Sequence, residues 1–226
     1  MKFYDRLQQE TEAARDYLLR APIIETVLSG DFSIYTYLAF LNQAFHHVKH
    51  TATLLELAES TLEDRHASVK TALRHYIEEE QGHEQWILED IRQCGFDAEL
   101  IEDGLAPNPI KAMTDRLFEA IGAGQGLAIF GMVQVLEGTS ASLAPLVARL
   151  IREKLSLPDQ ALTYLTTHGE LDQDHLKFFE RIMNQIENVT DQQCIIDMAN
   201  VVYRHYGDAY RDIPGQAAIF EQGLAA

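Results

Sequence analysis

The sequence predicts an all-α fold, a single-domain helical bundle of about seven or eight helices over residues 1–226. Apolar residues recur at helical spacing along most of the chain, and no run alternates polar and apolar residues for long enough to be a strand. The six prolines and thirteen glycines fall mostly where one helical pattern stops and the next starts.

Residues 3–20 carry Phe3, Leu7, Ala14 and Leu18 near helical spacing and read as a first helix. Pro22 opens a short helix through Leu28, stopped by Gly30. Ser33 is placed to cap a long aromatic helix over 34–59, which contains His46, His47 and His50. Residues 64–93 read as one long helix, with Tyr76, Glu80 and His83 on a single stripe and Gly95 just beyond its end. The stretch 95–107 reads as a loop. Asn108-Pro109 then supplies an N-cap and an N1 proline for a helix to about 121.

Gly122, Gly124 and Gly126 mark a hinge or a close approach of helices. A helix over 127–154 follows, with Gly138 and Pro145 as kink points. After the turn Leu157-Pro158-Asp159, the next helix runs to about 187. Gly169 inside it costs about 1 kcal/mol relative to alanine, which suggests that a missing side chain matters there. Thr190 with Gln193 reads as a capping box for a last helix to about Tyr206, ahead of an irregular tail with Pro214 and Gly215.

With 35 acids against 18 bases, the net charge is −17 and no cluster of Lys and Arg is interleaved with aromatics. Such a surface should repel nucleic acid and anionic membranes. The amino-terminal segment is acidic and amphipathic and reads as no signal peptide. No apolar run approaches the roughly 18 residues of a membrane span. The weakly polar stretch 126–150 carries Gln134 and Glu137 and is expected to be a buried core helix. Cys94 and Cys194 match no ligand spacing, so a reducing cytoplasm is the expected setting.

Three sets of residues carry chemistry. His168, Asp172 and His175 occupy i, i+4 and i+7, which is one face of a helix. Glu80 and His83 at i, i+3 share a face in the same way. Glu137 is a lone acid among Val133, Val135, Leu136 and Ala141, and a bare carboxylate there needs a partner. Spacing alone leaves a solvated polar face open for the first two sets, and a salt bridge or kink-satisfying hydrogen bond open for Glu137. Imidazole and carboxylate donors suit Fe, Mn or Zn, and no clustered cysteine supports a thiolate site. Three carboxylates and three imidazoles serve two metals comfortably, with Glu137 the expected bridge. A shared centre then requires Glu137 within about 8 Å of Glu80 or His168, given metals roughly 4 Å apart.

Ferritin-like bundles use two Glu-x-x-His motifs, and this chain has one. On EEEQGHEQW at 78–86, the VLEG segment around Glu137 and HGELDQDH at 168–175, the chain instead resembles the haem-oxygenase-like di-iron oxidases. Those share a fold with thiaminase II (TenA-type) proteins and with pyrroloquinoline-quinone synthase. The resemblance implies two Fe per chain, with Mn as a substitute, held by Glu80, His83, Glu137, His168, Asp172 and His175. It implies O2 as co-substrate and an oxidised small molecule such as an amine, an amino acid or a fatty acid. An external electron donor is a further implied partner. Tyr76 stands where some members of that family carry a carboxylate ligand; beside a metal pair it would be an electron donor or hydrogen-bond partner, a catalytic role shared with Glu137. His47, His50 and Glu79 are alternative ligands, the two histidines otherwise supporting groups, and Phe40, Phe45, Phe130 and Met132 are expected pocket walls. Arg204 and Arg211 are considered for a substrate carboxylate, and a homodimer is left open.

Other readings predict different features. A thiaminase II-like hydrolase would need a cysteine nucleophile on the helix of Glu137, where there is none. A haem site would need a histidine near the amino terminus, and the first is His46. A metal-storage or partner-binding protein would have no substrate cavity.

Overall fold

The computed structural model describes residues 1–223, and their side chains outside 170–174. Among the described residues the fold is all-α, with twelve α-helical segments and short 3-10 turns in place of seven or eight helices. In order these are α1 (Phe3–Glu10), α2 (Glu12–Leu19), α3 (Pro22–Leu28), α4 (Ile34–Val48), α5 (Thr51–Thr61) and α6 (Ala67–Glu80). They continue with α7 (His83–Gln93), α8 (Ala98–Glu102), α9 (Asn108–Gly122), α10 (Ile129–Leu155), α11 (Thr163–Met183) and α12 (Val189–Glu221).

The extra helices arise because three long patterns are each divided in two. Thr11 leaves helical geometry between α1 and α2, with φ −105° and ψ 0°. Lys49 and His50 separate α4 from α5. The pattern over 64–93 breaks at Gln81, which is extended (ψ 124°), and Gly82, at φ +84°. Only glycine enters that left-handed region without a steric penalty, so Gly82 is what lets the chain change direction there. Hydrophobic periodicity continues across all three breaks: α1 and α2 share one core cluster, whereas α5 and α6 pack into that cluster and their partners α4 and α7 into a second one.

Two further corrections concern the ends of elements. The expected loop over 95–107 contains α8, capped by the Asp97 carboxylate, which accepts the Glu99 N–H at 3.0 Å. The expected irregular tail is helical: α12 runs through Pro214 with Ile213 and Ala217 buried on its inner side. Packing of that face outweighs the hydrogen bond that proline removes. The cap of α12 is Asn188, which accepts from the N–H groups of Thr190 and Asp191, and not a Thr190–Gln193 box. Ser33 does cap α4, with Thr36 Oγ1 accepting from the Ser33 N–H at 3.3 Å.

Helix α10 is central. The stretch Gly126–Leu155 is long and apolar enough to cross a membrane by length and composition, yet 72% of its most apolar window is buried inside the fold. Its apolar surface is therefore satisfied by α11, α12 and the core residues Ile195, Ala199 and Phe179. Gly169 on α11 faces Pro145 of α10; a Cβ there would lie 3.2 Å from the proline ring carbons. This close approach sets α10 and α11 side by side over the segments that carry Glu137, His168 and His175.

Candidate metal centre and its cavity

Helix α11 needs a firm start, because three of the expected ligands, His168, Asp172 and His175, lie within its first four turns. Its own N-cap residue, Leu162, supplies no side-chain acceptor. The acceptor comes from α7: Asp90, fully buried, takes the N–H groups of Thr163 at 3.0 Å and Tyr164 at 2.9 Å. A carboxylate at a helix N-terminus meets both the unpaired donors and the positive end of the dipole. Burial nevertheless pushes the Asp90 carboxyl up to about 6, against those two hydrogen bonds. Sequence reasoning missed Asp90; its only signal was an acid at a helical position that turns inward.

Glu80 is the last residue of α6 and His83 the first of α7, so the Glu-x-x-His pair spans a turn and does not share one continuous helix. The turn still brings the two together, with His83 Nδ1 3.2 Å from Glu80 Oε2. His168 of α11 joins them: one donor atom from each of Glu80, His83 and His168 lies within 4.8 Å of the others. A second buried group forms on the other side from Glu80, Glu137 and His175, again within 4.8 Å. His175 Nδ1 is 3.4 Å from Glu137 Oε1, and its Nε2 is 3.1 Å from Glu79 Oε2. The residue common to both groups is thus Glu80, whereas the sequence reading had given the bridging place to Glu137. Glu137 and Glu80 meet well inside the 8 Å limit. Asp172 lies outside the described side chains.

These residues fit a metal pair by their chemistry. Five buried or half-buried side chains present carboxylate oxygens and imidazole nitrogens, the donors that Fe and Mn accept. Burial opposes the charge on Glu80, yet the His83 hydrogen bond and the His168, His83 and His175 rings outweigh it, and its carboxyl titrates below the usual range. Carboxylates held ionised in the interior require compensating positive charge.

Aromatic rings fix the ligands from behind. Trp86 stacks on His83 at 4.0 Å between centroids and meets His168 edge-on at 5.9 Å. Tyr164 lies 4.7 Å from the His168 ring. Tyr76 is 1% exposed and edge-on to His175 at 5.7 Å.

A long cavity opens beside this cluster. Its inner end is lined by His47, Tyr76, Glu80, Glu137 and His168. Its walls are apolar: Ile23, Ile24, Val27 and Leu28 of α3, Phe40 of α4, Met132, Leu143 and Val147 of α10, and Ile213 of α12. Leu28 is 45% exposed, which places the rim of the cavity at α3. Two expected wall residues lie elsewhere. Phe130 is buried in the core against Phe179, and Phe45 packs in a second core cluster under Lys49. His50 is also away from the cavity, edge-on to Phe118. Tyr206 and Tyr210 line it as well. Arg204 and Arg211 both stack on Tyr17, and Arg211 donates to the Tyr17 and Gly207 carbonyls, so neither faces the cavity.

The adjacent His46 and His47 are both buried but face different surroundings. Burial, with the His168 ring nearby, pushes the His47 imidazole down to about 3. Burial, then Lys49 and His50, pushes His46 down to about 4. Both rings are therefore neutral near pH 7.

No curated protein matches the sequence. Several solved structures match its fold. A domain of unknown function with a haem-oxygenase-like fold from Shewanella denitrificans superposes with TM-score 0.86 at 19% identity, covering 99% of this chain and 96% of that one. A TenA homologue from Pseudomonas syringae pv. tomato gives TM-score 0.78 at 10% identity, over 94% and 93% of the two chains. A haem oxygenase from the cyanobacterium Synechocystis, in complex with haem, gives 0.74 at 13% identity, over 99% and 97%. These likenesses establish the haem-oxygenase-like fold. One protein-family model, described as an iron-containing redox enzyme, matches residues 38–207, a span that holds every residue of both clusters. On that match the chain belongs to the family of iron-containing redox enzymes.

Proposed function

We propose that the protein is a non-haem di-iron oxidase or oxygenase that uses O2 to oxidise a small molecule with an apolar chain. The observation that carries this reading is the pair of buried ligand groups sharing Glu80, with Glu80, Glu137 and His168 in the lining of an otherwise largely apolar cavity. Glu80, His83 and His168 would hold one iron, and Glu80, Glu137 and His175 the other, with Asp172 one helical turn from each α11 histidine. A reduced iron pair supplies the electrons that activate O2, with an external donor restoring them; manganese is the natural substitute.

The protein's own part is positional. The hydrophobic walls from α3, α10 and α12 exclude water and align an apolar chain toward the ligand cluster. Among amines, amino acids and fatty-acid-like molecules, a lining of this kind favours the last. Tyr76, held edge-on to His175, is placed to give a hydrogen bond or an electron at the cluster. A hydrolase working through a cysteine finds no support: Cys94 and Cys194 lie outside the cavity, and burial pushes the Cys94 thiol up to about 12.

The test is metal analysis of protein produced with iron available, joined to O2 consumption by the reduced form. Two irons per chain are expected, with Glu80→Gln losing both and His83→Ala losing chiefly one. Wild-type protein that retains no metal, or a Glu80→Gln variant that keeps both irons, refutes the assignment.

A further inference from the structure

His47 sits on α4, outside both ligand groups, and lines the inner end of the cavity. It is 4% exposed, and neither ring nitrogen has a hydrogen-bond partner among the described residues. Its ring is steadied edge-on by Tyr206 at 5.6 Å between centroids. Leaving a buried donor and acceptor unmet is costly, and such groups in folded proteins normally mark a place where something else binds. His46, its neighbour, has the same unmet nitrogens but does not line the cavity, so the argument applies to His47 alone. Another polar group near the same wall is already engaged: the Tyr37 hydroxyl donates to the Ala161 carbonyl at 2.8 Å.

We propose that His47 determines which polar head the cavity accepts, its ring N–H donating a hydrogen bond to a carboxylate at the inner end of an apolar-chain substrate. A neutral imidazole has one donor and one acceptor, and donation to an ionised oxygen is the stronger of its two uses. An ammonium head would meet only a lone pair there, and would sit beside the metal cations. The assignment of the head group rests on the metal-centre reading above; the contact with His47 does not.

The test is calorimetric titration, without O2, of protein as purified from iron-supplemented cells, using decanoate, decylamine and decanol. Metal content and far-UV circular dichroism are measured on every sample. Wild-type protein should bind decanoate best. His47→Leu should weaken decanoate binding by on the order of 10-fold or more while keeping its iron, and should leave decanol binding little changed. Should the leucine variant fail to fold, His47→Asn and His47→Gln decide the matter. Each keeps an N–H near one ring-nitrogen position, so one should hold decanoate and the other lose affinity by a similar factor. Equal decanoate affinity in wild type and variants overturns the proposal, as does tighter binding of decylamine, an equal loss for decanol, or loss of iron from His47→Leu. A wild type without iron whose decanoate binding still depends on His47 would refute the metal centre and leave the contact standing. Iron bound with no dependence on His47 would do the reverse.

Discussion

Lowering the pH should weaken the fold through His46, and the size of the effect follows from its surroundings. His46 is 1% exposed, and burial with Lys49 and His50 nearby holds its imidazole near 4, against 6.5 for an ordinary histidine. Between those values the unfolded chain binds a proton that the folded chain refuses, so stability falls as pH falls. Starting near pH 7, the loss from this one group reaches about 2 kcal/mol by pH 5 and about 3 kcal/mol by pH 4. That is a large share of a typical stability of roughly 5–15 kcal/mol. Asp90, pushed up to about 6, titrates in the same window with the opposite sign, because the folded chain then holds the extra proton. The total pH dependence mixes these two with His47, which is pushed down to about 3 and acts with the sign of His46, so the informative quantity is the difference between wild type and His46→Leu. Urea unfolding of metal-free protein at pH 7, 5 and 4 measures it. The variant should be less pH-sensitive than wild type by the amounts above, whatever its stability at pH 7. Parallel pH curves for the two proteins would show that His46 takes up its proton in the fold, and the burial argument would fail.

Three other outcomes are expected. Trp86 is the only tryptophan, and its indole stacks on His83; anaerobic addition of Fe(II) or Co(II) should quench its fluorescence in proportion to metal bound, and His83→Ala should weaken that response by the share of the metal it loses. Asp90→Ala should cost about 2–3 kcal/mol in urea unfolding, because two N–H groups at the start of α11, one buried and one part-buried, lose their acceptor. Gly82→Ala should cost about 1–2 kcal/mol from its positive φ and lower metal affinity, with Gly82→Asn milder on both counts in thermal melts and metal titrations.

The helical class was readable because amphipathic periodicity survives breaks of one or two residues, and the same property concealed the breaks themselves. Thr11 and Lys49 carry no strong stop signal, so α1 with α2 and α4 with α5 read as continuous. Gly82 was a signal in plain view, a glycine between two acid- and histidine-bearing segments, and it was passed over because Glu80 and His83 suit a helix face equally well. Pro214 misled in the other direction, since proline ends a helix only where packing does not insist on continuing it. As for the site, motif spacing put His168 and His175 on one stripe, and the fold brings both to Glu80. Which acid is shared depends on how α6, α10 and α11 cross, and no local pattern encodes that. The same is true of His47, which meets Tyr206 of α12 and lies near Glu80 of α6 and His168 of α11.

The two-residue turn between Glu80 and His83 has a mechanical consequence. Because the pair belongs to separate rods joined by a two-residue turn, an ion gripping both would fix the angle at which α6 and α7 meet. Differences in ionic radius would then be transmitted as small rotations along α7 to Asp90, and from there to the first turn of α11. Amide exchange at Thr163 and Tyr164 should therefore report, from the far end of α7, which cation occupies the centre.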